Sequence, residues 1–144
     1  MAGRGRTATR MSELIQVYVV EDSPTQALGV KRALLQLPNL KVTLFHDGLE
    51  AYRGIQKQKP DILLMDLILP SLHGLALCRL LKFHLDFQQV PLLIFSSITE
   101  SDIAEQARQA GADEFLAKPF DPAILLQRVQ AMIARLSEVG PVAP

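Results

Sequence analysis

Short, nearly continuous apolar runs alternate along this chain with stretches of helical periodicity, and this alternation restricts the fold more than any other feature. The runs are "QVYVV" (16–20), "VTLF" (42–45), "ILLM" (62–65), "LLIF" (92–95) and a weaker "EFLA" (114–117). Runs that stay apolar at consecutive positions suit strands buried on both faces, as in a parallel sheet. Between them, "SPTQALGVKRALLQL" places Ser23 at an N-cap and Pro24 at the first helical position. Its apolar residues Ala27, Val30, Leu34 and Leu37 recur at helical spacing. "DPAILLQRVQAMIARL" repeats the device, with Asp121 as cap and Leu125, Val129, Met132 and Leu136 as stripe. Helices are also predicted near 48–58, 74–85 and 102–110, the last ended by Gly111. Five strands alternating with five helices predict a doubly wound α/β domain. Right-handed crossovers leave few strand orders open to it.

The stretch "GLALCRLLKFHLDF" (74–87) is apolar around most of a helical wheel, with Arg79, Lys82 and Asp86 on one narrow stripe. A helix packed on one side of a sheet needs an apolar arc of only about 100°. The excess calls for a second cover, either the following loop folding Phe87 back or a partner surface.

With 144 residues the chain has the size of one domain, and 49% hydrophobic residues exclude a disordered polymer. Formal net charge is zero, so nothing draws the chain strongly to nucleic acid or to a membrane surface. No apolar run reaches membrane-span length, and the arginine-bearing N-terminus lacks the apolar core of a secretory signal. The one cysteine, Cys78, permits no internal disulfide and fits a reducing compartment, hence a cytoplasmic protein; it reads as a small apolar packing residue. Residues 1–13, with Arg4, Arg6 and Arg10, read as a disordered tail, and Met11 offers a second start. The folded domain is expected over 14–136, with 137–144 as a C-terminal tail or a truncated linker.

In doubly wound folds the functional crevice lies beyond the carboxyl ends of the strands. Glu21 and Asp22 follow the first run, Asp66 the third, Ser96 and Ser97 the fourth, and Lys118 and Pro119 the fifth. Taken singly each has a plain structural use: acids suit a helix start, an aspartate caps a turn before Pro70, and a lysine is usually solvated. Together they would gather three carboxylates, a hydroxyl and an amine at one rim if those four strands lie side by side. Three clustered carboxylates cannot all stay ionised without a cation. Mg2+ suits an all-oxygen set, whereas His46, His73 and His84 show no ligand spacing. Such a rim describes a phosphoryl acceptor, with Asp66 as nucleophile, Lys118 and Mg2+ neutralising the transferred group, and Ser96 bonding one of its oxygens.

"VVEDSPTQA", "DILLMDLILPSLHGL", "IFSS" and "GADEFLAKPF" resemble the four signature stretches of response-regulator receiver domains, CheY-like modules of two-component signal transduction. Spacing agrees as well, with 44 residues from Asp22 to Asp66, 30 from there to Ser96 and 22 more to Lys118. The resemblance spans about 14–136. It implies a flavodoxin-like doubly wound (βα)5 fold with a five-stranded parallel sheet of order 2-1-3-4-5. It implies that Asp66 is phosphorylated and that Asp22 and Asp66 bind Mg2+ directly. Glu21 would act through a water, and the backbone carbonyl of Ile68 would be a further ligand. Ser96 and Phe115 become the switch pair, Lys118 clasps the phosphoryl group, and the Lys118–Pro119 bond is often cis.

The implied function is to accept a phosphoryl group from a histidine kinase or phosphotransfer protein and to control a downstream effector protein. The resemblance also leaves room for a homodimer through the fourth helix, fifth strand and fifth helix, and implies neither direct nucleic-acid contact nor membrane contact. Such a domain is no enzyme beyond phosphotransfer to itself and slow self-dephosphorylation. Two other readings compete. An aspartyl phosphatase would carry an acid two residues past the nucleophile, where this chain has Ile68. A phosphorylation-independent scaffold would lack an acid, the acceptor or the lysine, and all are present. No output domain follows, so the chain is either a single-domain regulator or part of a longer one.

Overall fold

A computed structural model describes residues 14–139. The elements run β1 (Ile15–Val20), α1 (Pro24–Leu34), β2 (Leu40–Phe45), α2 (Gly48–Lys57), β3 (Ile62–Asp66), α3 (Gly74–Lys82), β4 (Leu92–Ser96), α4 (Ile103–Gln109), β5 (Glu114–Ala117) and α5 (Pro122–Val139). All strand pairs are parallel, in the order β2-β1-β3-β4-β5. This is the flavodoxin-like doubly wound arrangement that the alternation and the resemblance predicted. Among the described residues no helix is long and apolar enough to cross a membrane.

The continuous apolar runs have a simple cause. Successive side chains of a strand point to opposite faces, and here each face has its own core. Val17, Val19, Ile62, Leu64, Leu93 and Phe95 pack with α1 and α5. Their neighbours Tyr18, Val20, Leu63, Met65, Leu92 and Ile94 pack with α2, α3 and α4. The predicted stripes do this work: Ala27, Val30 and Leu34 of α1 and Leu125, Val129 and Met132 of α5 are buried. The caps also stand where they were expected. Ser23 Oγ accepts from the Gln26 amide at 3.2 Å, and Asp121 Oδ1 from the Ala123 amide at 2.9 Å. His73 caps α3, its Nδ1 accepting from the Leu75 amide at 3.3 Å. Cys78 is a buried packing residue whose thiol is pushed up to about 11 by burial.

Three helix ends differ from the sequence-based ones by more than one residue. α1 ends at Leu34, so Leu37 of its predicted stripe lies past the helix. α5 continues three residues past Leu136, so 137–139 are helical rather than a loose end. The rest of the expected C-terminal tail, 140–144, lies outside the described residues, as does the 1–13 tail. α3 stops at Lys82, not near 85, and Phe83 takes the C-cap position. The Lys82 ammonium reaches forward to the carbonyls of Val90 at 2.7 Å and Gln88 at 3.2 Å, which holds the following turn against the helix end. That turn carries Phe87 into the core, with the His84 ring 4.6 Å from it. The loop is therefore a cover, yet it leaves Leu80, Phe83 and Leu85 in solvent, the last two more than 80% exposed.

This division has a measurable consequence. Phe87→Ala should lower unfolding free energy by about 3 kcal/mol or more in urea titrations. Phe83→Ser combined with Leu85→Ser should change it by no more than about 1 kcal/mol, because neither side chain fills the core.

Candidate functional site

Strand order alone brings the four charged or hydroxylic strand ends together. All strands run the same way, but the order in which they are added reverses between the adjacent β1 and β3, so the crevice opens above their carboxyl ends. Hydrogen bonds carry the register past the strands: Glu21 N to Phe45 O at 2.9 Å, Leu67 N to Phe95 O at 3.0 Å and Lys118 N to Ser96 O at 2.8 Å. The Lys118–Pro119 peptide is cis. Below the rim, Gly74 lets α3 start against the end of β3. A Cβ there would sit 2.6 Å from the carbonyl oxygens of both Asp66 and Leu67.

Glu21, Asp66 and Ser96 are the buried polar side chains among the described residues, and all three stand at this rim. Burying such groups is costly unless each has a partner. Lys118 supplies most of the pairing, its Nζ donating to Asp66 Oδ2 at 2.6 Å and Glu21 Oε1 at 2.7 Å. The remaining oxygens are also engaged: Glu21 Oε2 accepts from Ser23 N at 3.0 Å, and Asp66 Oδ1 from Ile68 N at 3.1 Å. Ser96 Oγ accepts from Ile98 N at 3.0 Å. Burial raises the Glu21 pKa, and the nearby Asp66 adds to this, while the bonds from Lys118 and Ser23 work against it. For Lys118, burial opposes the charge, but Asp66 and Glu21 together outweigh it and the net shift is upward.

Carboxylate oxygens of Glu21, Asp22 and Asp66 lie within 4.8 Å of one another, with Asp22 exposed at the mouth. This all-oxygen donor set fits a hard divalent cation. His46 is close by, but its Nδ1 donates to the backbone carbonyl of Glu21 at 3.0 Å and so serves the fold. Ile68 holds its side chain half in solvent, so no acid stands two residues beyond Asp66. Phe115 on β5 is half-buried and, like Ile98, packs against the core under α3 and α4.

One member of the site was not foreseen. Gln26 Oε1, on the first turn of α1, accepts from Lys118 Nζ at 2.6 Å. The sequence held a clue in "SPTQ", a capping box in form, whose glutamine would ordinarily turn back to the Ser23 amide.

Comparison with known proteins agrees with this geometry. The response regulator receiver domain family matches over residues 17–130. The transcriptional regulatory protein CseB of Streptomyces coelicolor is 33% identical over 130 residues, covering 90% of this chain and 54% of its own length. The chain thus spans about half of the curated relatives it matches. Among solved structures, the signal receiver domain of a histidine kinase from Syntrophus aciditrophicus superposes with a TM-score of 0.80 at 27% identity, covering 90% of this chain and 97% of that one. The receiver domain of a sensor histidine kinase from Pseudomonas aeruginosa, solved with magnesium coordinated in its active-site cleft, is 31% identical with a TM-score of 0.76, covering 84% and 98%. The match over most of the chain, on a five-stranded fold with its acids and lysine at one rim, makes this chain a member of the response regulator receiver domain family, the phosphoacceptor module of two-component signalling.

Proposed function

We propose that Asp66 is the phosphoryl acceptor of this receiver domain, supplied by a histidine kinase or a phosphotransfer protein. The supporting observation is the Lys118 ammonium held 2.6 Å from Asp66 Oδ2 inside a cluster of three carboxylates. An Asp66 oxygen attacks the phosphorus of a phosphohistidine, the P–N bond breaks, and the imidazole leaves. Asp22 and Asp66, the Ile68 carbonyl, and Glu21 through a water would hold Mg2+, which when bound neutralises charge on the transferred group. Lys118 lies where it can pair with a phosphoryl oxygen. Ser96 can donate its hydroxyl to another, because Oγ now only accepts. A scaffold that ignores phosphate has no use for this set of buried acids and a matched lysine.

The output surface is proposed to be α4, β5 and α5, reached through Ser96 and Phe115. α4 buries only Ile103, Ala107 and the following Ala110. Each alanine anchors it by roughly 1 kcal/mol or less. The same face is the proposed contact for a downstream effector or a second copy.

Three outcomes test this reading. With acetyl phosphate and Mg2+, the wild-type chain should gain one phosphoryl group at Asp66 by mass spectrometry, and Asp66→Asn should gain none there. Asp22→Asn should weaken Mg2+ binding by about tenfold or more, at least the loss typical of outer-shell changes; labelling of Asp66→Asn at the normal rate would overturn the assignment.

The phosphorylated form should be long-lived. Ile68 and Ile98 are apolar and β-branched, so they neither orient an attacking water nor take its proton. Polar replacements at both should speed loss of phosphate, and unchanged decay in the double variant would refute this account.

Finally, a beryllofluoride mimic should alter amide exchange along α4 and β5, with a higher sedimentation coefficient if the second copy docks there. Changes confined to α1 and α2 would locate the output elsewhere.

A further inference from the structure

Four hydrogen bonds close a ring at the edge of the site. Lys118 Nζ donates to Glu21 Oε1 at 2.7 Å, and Glu21 Oε2 accepts from Ser23 N at 3.0 Å. Ser23 Oγ accepts from Gln26 N at 3.2 Å, and Gln26 Oε1 accepts from Lys118 Nζ at 2.6 Å. In an ordinary capping box the third helical residue would bond the Ser23 amide. Glu21 has taken that amide, which leaves the Gln26 side chain to the lysine. The atom facing Lys118 must be the amide oxygen, because an ammonium has donors only.

An ammonium has three N–H groups, and here Asp66, Glu21 and Gln26 provide one acceptor each. The first two are anionic and belong to the proposed metal and phosphoryl site, so their oxygens must change partners as it fills. Gln26 is neutral, and it is not among the clustered carboxylates that would bind a cation. Its backbone is pinned by the Ser23 cap in the first turn of α1. We infer that Gln26 is a positioning residue for phosphoryl capture: it keeps the Lys118 ammonium over Asp66 while the two carboxylates are drawn to the cation and the incoming group. A glutamate in its place would keep the acceptor but put a fourth carboxylate beside three others.

This inference rests on the phosphoacceptor reading, and the test separates the two. The full chain is labelled with acetyl phosphate and Mg2+, a donor too small to need a docking surface. Gln26→Met keeps length and helix propensity but removes the acceptor. Its labelling rate at saturating donor should fall about three- to tenfold, the scale of one hydrogen bond to a charged group shared among three. Half-saturating Mg2+ and the unfolding midpoint should not move. Gln26→Glu restores the acceptor and should label faster than Gln26→Met, while its added carboxylate should shift the Mg2+ requirement, which Gln26→Met leaves unchanged. In a Lys118→Met background, followed over long incubation, Gln26→Met should cause no further loss. The inference is overturned if Gln26→Met labels at the wild-type rate, loses the same factor with and without Lys118, or shifts the Mg2+ requirement in step with the rate. A wild-type chain that takes no label at Asp66 would overturn the phosphoacceptor reading itself, and the inference with it.

Discussion

The Lys118 ammonium, shared between Glu21 and Asp66, is the contact on which the arrangement of the rim depends. Two like charges about 4 Å apart repel by roughly 4 kcal/mol near a protein surface. Glu21 and Asp66 are buried, so water cannot relieve that repulsion cheaply. Lys118 does so from the far side of the sheet, since β5 is separated from β3 by β4. The side chain must therefore reach over Ser96 and the Phe95 ring, whose centroid lies 5.2 Å from Nζ. Removing one partner of such a set leaves an uncompensated buried charge, which typically costs several kcal/mol. The lysine thus ties the ends of β1, β3 and β5 together, and it also contacts the proposed nucleophile.

A rim of this kind needs strands that do not shift. Each central strand feeds alternate side chains into two cores, so a one-residue slip would send every side chain to the wrong face. The cost of moving Asp66 relative to Glu21 or Ser96 is thereby set by the whole sheet. The loops beyond the strands and the short α4, which buries only Ile103 and Ala107, are held by less.

Much of this was legible in the sequence because it follows from local pattern. Continuous apolar runs mark strands covered on both faces, and Ser23, Asp121 and Gly111 punctuate helices by rules that act within one turn. The site residues were legible through their common position just past each run, which the parallel sheet order turns into proximity. What could not be read depends on contacts distant in sequence. α3 ends at Lys82 because its ammonium finds the carbonyls of Gln88 and Val90 and the turn delivers Phe87 to the core. A helical wheel assumes the helix goes on and so cannot show this. Gln26 was missed for the same reason. Its local role, the capping box, is displaced by Glu21, and its actual partner lies 92 residues away.

The energies at the rim also indicate which part of the fold a phosphoryl group can move. A hydrogen bond to a charged group contributes about 1.5–3 kcal/mol net, which is what Ser96 would gain by donating to a phosphoryl oxygen. That gain is similar to the anchoring of α4, where burial of Ile103 is worth about 2 kcal/mol and each buried alanine less. It is well below the anchoring of α5, which buries Leu125, Val129 and Met132 completely. Ile98, whose amide is bonded to Ser96 Oγ, begins the segment that leads into α4. On the proposed reading a shift of Ser96 would pass along the chain to α4, a lightly anchored helix, while α1, α5 and the sheet keep the acid cluster in place. On the proposed reading, the short alanine-rich α4 is what lets a change at Asp66 become a change of surface without cost to the fold.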